Sequence, residues 1–176
     1  MQMEIRPAAA SDLDGIAAVY DAIHDEEEAG RVVTGWVRSI YPTRATAEAA
    51  LGRGELFVLE DGGEILGAAI INQTQVDRYY GAAWEHDLPD ESVCVLHTLV
   101  IHPKAAGRGY GTAFVRYYED YARQNRWPEL RLDTNARNTA ARRLYARLGY
   151  TEIGIVSTVF NGIPGVELVL LEKYTG

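Results

Sequence analysis

Apolar positions along this chain switch between a spacing of two and a spacing of three to four, and the switches outline alternating strands and helices. Met3 to Pro7 reads as a short strand. Leu13, Ile16, Tyr20 and Ile23 then keep helical spacing, with Ser11 and Asp14 resembling a capping box at the start. Ala45 to Leu51 predicts a second helix that closes at Gly52. Glu55 to Leu59 and Ile65 to Gln73 predict two strands joined by Asp61-Gly62-Gly63, a hairpin signal. Val93 to Ile101 is apolar on both faces, as a central strand should be, and stops at Pro103. Ala113 to Gln124 predicts a helix with Phe114, Val115, Tyr118 and Ala122 on one face and a Glu119–Arg123 pair on the other. Leu130 to Asp133 reads as a strand. Asn138 caps the next helix, whose inner face is Ala141, Leu144, Tyr145 and Leu148, and Gly149 supplies its stop. Thr151 to Val156 and Val166 to Leu171 are the last strands, linked by Gly162-Ile163-Pro164-Gly165. The order is β-α-α-β-β-β-α-β-α-β-β, an α/β domain with a mixed sheet over residues 1–176. Arg31 to Thr43, with Trp36 and Tyr41, is irregular, and Tyr79 to Trp84 is aromatic but matches no period.

Composition narrows the class. With 47% hydrophobic and 24% charged residues, the 176-residue chain can bury a real core. No apolar run approaches membrane-spanning length, and the first residues lack the apolar core of a signal peptide, so the expectation is a cytoplasmic protein with no membrane partner. The one cysteine, Cys94, excludes an intrachain disulfide and fits a reducing compartment. A net charge of −8 argues against nucleic acid and is compatible with a cationic acceptor such as an amine. The acidic run Asp25 to Glu28 reads as a solvated helix end or as an electrostatic lure for amines.

The most informative segment is His102-Pro103-Lys104-Ala105-Ala106-Gly107-Arg108-Gly109-Tyr110-Gly111-Thr112, between a predicted strand and a predicted helix. Three glycines at alternate positions leave backbone N–H groups uncovered at a helix N-terminus, where unpaired amides and the macrodipole favour an anion. A Walker loop is ruled out because no lysine follows Gly111. A dinucleotide fingerprint is ruled out because the sixth position is Thr112 or Phe114, not glycine.

Leu99-Val100-Ile101-His102-Pro103 with Arg108-Gly109-Tyr110-Gly111 resembles the coenzyme A signature of the GNAT superfamily of N-acetyltransferases. The block Asn138 to Tyr150, with Tyr145 and Gly149, resembles that family's second signature. The resemblance implies a mixed, mostly antiparallel sheet of six to seven strands flanked by about four helices, with acetyl-CoA as donor. By the same resemblance, Gly107, Arg108, Gly109, Tyr110, Gly111 and Thr112 offer amides to the pyrophosphate. Leu99, Val100 and Ile101 pair their main chain with the pantetheine arm where two strands splay, and Asn138 bonds that arm. Tyr145 meets the departing thiolate, either with a lowered pKa or as a hydrogen-bond donor. One departure stands out: the family has Gln or Arg where this chain has Ala106, and Arg108 or Lys104 would have to compensate.

The implied reaction is direct attack of a primary amine, on a small molecule or a peptide, upon the thioester in a ternary complex. His97 is the favoured general base because histidine titrates near neutral pH and this one lies on the cofactor strand. Asp133 is the alternative, working through water. Each also has a plain structural reading, as a core histidine and as a loop-capping carboxylate. Trp36, Tyr41, Tyr79, Tyr80 and Trp84 are candidates for an acceptor pocket or for packing. His102 reads as structural, and Cys94 has no partnered base that would make it an acyl carrier. His24 and His86 show no metal-ligand spacing, so no metal is expected. A domain that binds acyl-CoA as a sensor without turnover is the alternative function. Analogy with the family makes a homodimer the expected assembly.

Overall fold

The structure is a computed structural model describing residues 2–176. It contains every predicted element in the predicted order. These are β1 (Glu4–Pro7), α1 (Leu13–Glu28), α2 (Arg44–Gly52), β2 (Leu56–Asp61), β3 (Glu64–Asn72), β4 (Val93–Ile101), α3 (Tyr110–Gln124), β5 (Glu129–Asn135), α4 (Thr139–Arg147), β6 (Thr151–Phe160) and β7 (Ile163–Tyr174). The seven strands form one sheet in the order β1-β2-β3-β4-β5-β7-β6. Neighbours are antiparallel except β4 and β5, which run parallel because α3 carries the chain between them. The fold is therefore the mixed, mostly antiparallel α/β sheet with four helices that the resemblance implies. Among the described residues no helix is long and apolar enough to cross a membrane.

Alternation along the strands divides the core. Cys94 and Leu96 of β4 point to one face with Leu130, Leu132 and Phe57, where Phe114, Val115 and Tyr118 of α3 and Tyr145 of α4 cover them. Val93 and Val95 point to the other face, beside Leu168, Leu170, Tyr79 and Trp84. Nearer β1, that face is covered by Ile16, Val19, Tyr20 and Ile23 of α1 and Ala47 and Ala50 of α2. Tyr118 is fully buried, and its hydroxyl donates to the carbonyls of Cys94 (2.6 Å) and Arg131 (3.2 Å), tying α3 to β4 and β5 at once.

Two sequence readings need correction. No Ser11–Asp14 capping box forms; Asp12 instead accepts from the Ala9 amide at 2.7 Å and from Arg6 at 2.8 Å, which ties the entry of α1 to β1. Glu119 does not pair with Arg123. Glu119 is buried, accepting from Tyr150 (3.0 Å), Lys173 (2.9 Å) and Arg116 (3.1 Å), while Arg123 bonds Asp120 at 2.5 Å. Helix rotation decides this, because Glu119 lies one turn after the buried Val115 and falls on the same inward stripe. The acidic run is the solvated end of α1, as expected, with its carboxylates partnered. Arg31 takes Glu26, Arg38 takes Asp25 and Glu28, and Glu27 accepts from the Thr34 and Gly35 amides at 2.7 and 3.1 Å. Of the aromatic stretch, Tyr79 and Trp84 are buried: Trp84 lies beneath the Arg131 guanidinium at 4.2 Å and donates to the Tyr79 carbonyl at 2.7 Å.

Tyr118→Phe leaves two buried carbonyls without that donor, and urea unfolding is expected to show a loss of about 1–3 kcal/mol. An unchanged midpoint would show that the tie contributes nothing.

Candidate active site

The site begins where β4 stops pairing with β5. Rungs run from Val93 with Glu129 to Leu96 with Leu132, and none follows. On its other edge β4 stays bonded to β3, but the register slips: Ile70 opposes His97 while Ala68 opposes Val100. Ala69 thus faces both Thr98 and Leu99, a β-bulge, and Thr98 takes a φ of +52°. Tyr41 pins the bulge through a hydrogen bond between its hydroxyl and that of Thr98. The strands open into a cleft of about 420 Å³. His97, Thr98 and Leu99 line it from β4, Asp133 from β5, and Asn138 and Tyr145 from α4.

The glycine loop leads into α3. Gly107 and Gly109 have φ values of +78° and +79°, the left-handed region, and Gly109 is the N-cap. A Cβ at either position would meet no protein atom within 4 Å, so both glycines border open space. Tyr110 anchors the helix start by donating to Asp61. Of the two cations that could stand in for the residue replaced by Ala106, Lys104 is committed to Glu64. Arg108 is exposed and, among the described residues, pairs with no carboxylate. The His102 ring accepts from the Lys104 amide at 3.2 Å, a structural role.

Burial sets the protonation of the inner groups. It pushes the Asp133 carboxyl up to about 6, against the opposing pull of the Tyr79 hydroxyl, which donates to it at 2.6 Å. Burial pushes the His97 ring down to about 4; its Nε2 lies 2.8 Å from Asn72 Oδ1. Tyr145 is raised above the ordinary phenol range, chiefly by burial and further by the nearby Asp133 charge, so its surroundings favour the hydrogen-bond-donor reading over a lowered pKa. Asn138 accepts from the Ala141 amide at 3.1 Å and caps α4, with its side chain at the cleft wall. Burial pushes the Cys94 thiol up to about 12, so it holds almost no thiolate at neutral pH.

The structure thus gathers His97, Leu99, Asp133, Asn138, Tyr145 and Trp36 at one cleft. Val100 and Ile101 continue β4 beyond the last rung to β5. The proposed aromatic wall is only partly present. Tyr79 is buried and serves Asp133 from behind, Trp84 packs on Arg131, and Tyr80 is exposed and donates to Asp90 at 2.9 Å. Sequence reasoning missed Asn72, whose only signal is an amide ending an apolar strand, and Phe160, which joins Trp36 and Tyr41 at the cleft. It also missed that Glu85, His86 and Glu172 bring ligand atoms within 4.8 Å of one another. The Glu172 carboxylate there accepts from the backbone amides of Glu85 (2.6 Å) and His86 (3.4 Å), beside Arg131 and away from the cleft.

The chain matches the family model described as Acetyltransferase (GNAT) family over residues 17–150. Among solved structures it is similar to a GNAT-family acetyltransferase from Streptococcus agalactiae 2603, at 22% identity and TM-score 0.80 over 99% of this chain and 96% of that one. An N-acetyltransferase from Staphylococcus aureus Mu50 shares 19% identity with TM-score 0.74 over 100% of both chains. The yncA protein of Salmonella typhimurium, solved with its cofactor acetyl-CoA, shares 17% identity with TM-score 0.71 over 100% of this chain and 95% of that one. No curated protein matches the chain significantly.

The Tyr79 bond favours the charged form of Asp133. Tyr79→Phe is therefore expected to move the Asp133 midpoint above about 6, read by carbon-13 NMR of the carboxyl. A midpoint that stays or falls would show that the phenol does not govern that acid.

Proposed function

We propose that this chain, which belongs to the acetyltransferase (GNAT) family and so uses acetyl-CoA, acetylates a primary amine on a small molecule by direct attack in a ternary complex. The observation that carries the reading is the meeting of Asp133 and Tyr145 in a cleft of about 420 Å³ where β4 leaves β5.

The residues present fit the donor. The exposed glycine loop at the start of α3 offers amides to a diphosphate, with Arg108 as the available cation. The β5-facing edge of Leu99, Val100 and Ile101 offers main-chain groups to an extended amide-bearing arm, and Asn138 stands across the opening. Acetyl-CoA supplies an activated acyl group on a thiol leaving group.

Asp133 acts as the base in preference to His97. Its carboxylate, at about 6, is mostly formed at neutral pH and draws the ammonium proton through water, whereas an imidazole at about 4 holds a proton too weakly. His97 instead serves as a neutral wall, fixed by Asn72. The amine nitrogen bonds to the acyl carbon, the carbon–sulfur bond breaks, and the nitrogen's proton passes to solvent by way of Asp133. The β5-facing main-chain groups of β4 past Leu96 would include the amides that stabilise negative charge developing on the acyl oxygen. Tyr145 donates a hydrogen bond to the departing sulfur; its raised pKa makes full proton transfer unfavourable.

Because the charged form of Asp133 is the active one, kcat should rise with pH through about 6. Asp133→Asn should abolish that limb and lower kcat by about 10²-fold or more, while His97→Ala leaves the limb in place. A limb that survives in Asp133→Asn overturns the assignment. Gly109→Val forces a branched side chain into left-handed backbone and covers the amides. It should weaken acetyl-CoA binding at least about tenfold by calorimetry, and an unchanged Kd would remove the loop from the donor site.

A further inference from the structure

We infer that the acceptor is a monoamine with a flat apolar body, of the arylalkylamine class. The inference rests on the transfer reading above and names the substrate that the cleft would take.

Three rings form a connected wall at the cleft. Trp36 meets Tyr41 edge-to-face at 6.3 Å and 77°, and Tyr41 meets Phe160 at 6.5 Å and 74°. They come from two distant segments, the loop before α2 and the end of β6, and all three are half-buried, so part of each remains open. The one hydroxyl in this wall is consumed by Thr98, which leaves the Tyr41 ring as an apolar surface. Val159, 66% exposed, extends the apolar lining. A planar apolar group laid against such a wall continues its edge-to-face or offset arrangement.

The charges restrict the other end of the acceptor. Asp133 is the single carboxylate held inside the cleft, which matches one ammonium. The other charged residues lining it, Asp77 and Arg78, are adjacent, exposed and of opposite sign. The acids at the end of α1 are occupied by Arg31, Arg38 and the Thr34 and Gly35 amides, so they supply no second anchor for a polyamine. Among the described residues, the one lysine or arginine lining the cleft is the exposed Arg78, so none stands at depth there to hold an acceptor carboxylate.

The test measures acetyl transfer to 2-phenylethylamine, tryptamine, n-propylamine, spermidine, glutamate and a short peptide with a free N-terminus. The arylalkylamines should exceed propylamine in kcat/KM by about tenfold or more, chiefly through KM. Trp36→Ala should reduce the ratio of phenylethylamine to propylamine about tenfold, and Trp36→Phe should keep it. Preference for spermidine, glutamate or the peptide overturns the inference, as does a ratio that Trp36→Ala leaves unchanged. If no amine is acetylated, calorimetry of phenylethylamine with the enzyme–CoA complex separates the two readings. Binding that Trp36→Ala weakens upholds the arylalkylamine site and sinks the transfer reading; absence of binding overturns the site itself.

Discussion

At Val95 and Leu96, β4 is paired along both edges; past Leu96, only β3 holds it. Backbone N–H and C=O groups in a sheet centre are costly to leave without partners. The groups that β5 abandons can stay so only where water or a ligand reaches them. The rest of the site follows from that opening. Asp133 and Thr134, still paired to β7, have no rung to β4 and line the wall, Tyr145 looks in from α4, and the bulge at Thr98 turns the strand as pairing is lost. The surrounding structure holds the gap at a fixed point: Tyr118 bonds the Cys94 and Arg131 carbonyls just before it, and Tyr41 holds Thr98 just after it.

The same partial dryness drives two titrating groups in opposite directions. Burial disfavours charge, so it lifts the acid Asp133 toward neutrality and depresses the base His97 away from it. Near neutral pH the carboxylate becomes the better proton acceptor and the imidazole an uncharged polar surface. Residue type alone would have chosen the histidine. Tyr79, hidden beneath the acid, moderates the shift with one hydrogen bond.

The elements were legible because their periods are clean: Leu13 to Ile23 and Phe114 to Ala122 at helical spacing, Val93 to Ile101 as one apolar run. The glycine loop was legible because its function depends on missing side chains, which a sequence displays directly. The bulge was not, since it arises from the register of β4 against β3 and no residue near Thr98 encodes it locally. Asp133 and Tyr79 are 54 residues apart, and nothing in either neighbourhood names the other. The aromatic wall was half legible. Trp36 and Tyr41 were named, but the third ring, Phe160, comes from the far end of the sheet, while Tyr79 and Trp84 turned inward to cover Asp133 and Arg131. Spacing reads one segment at a time, whereas a cleft is assembled from several.

Cys94 has a consequence for how durable the chemistry is. The chain's one sulfur nucleophile sits at 0% exposure under Tyr118, with its proton held up to about 12. Oxidants and alkylating reagents act through thiolates, so the folded enzyme offers them no handle. Disulfide stress that silences cysteine-dependent catalysts would pass this buried thiol by.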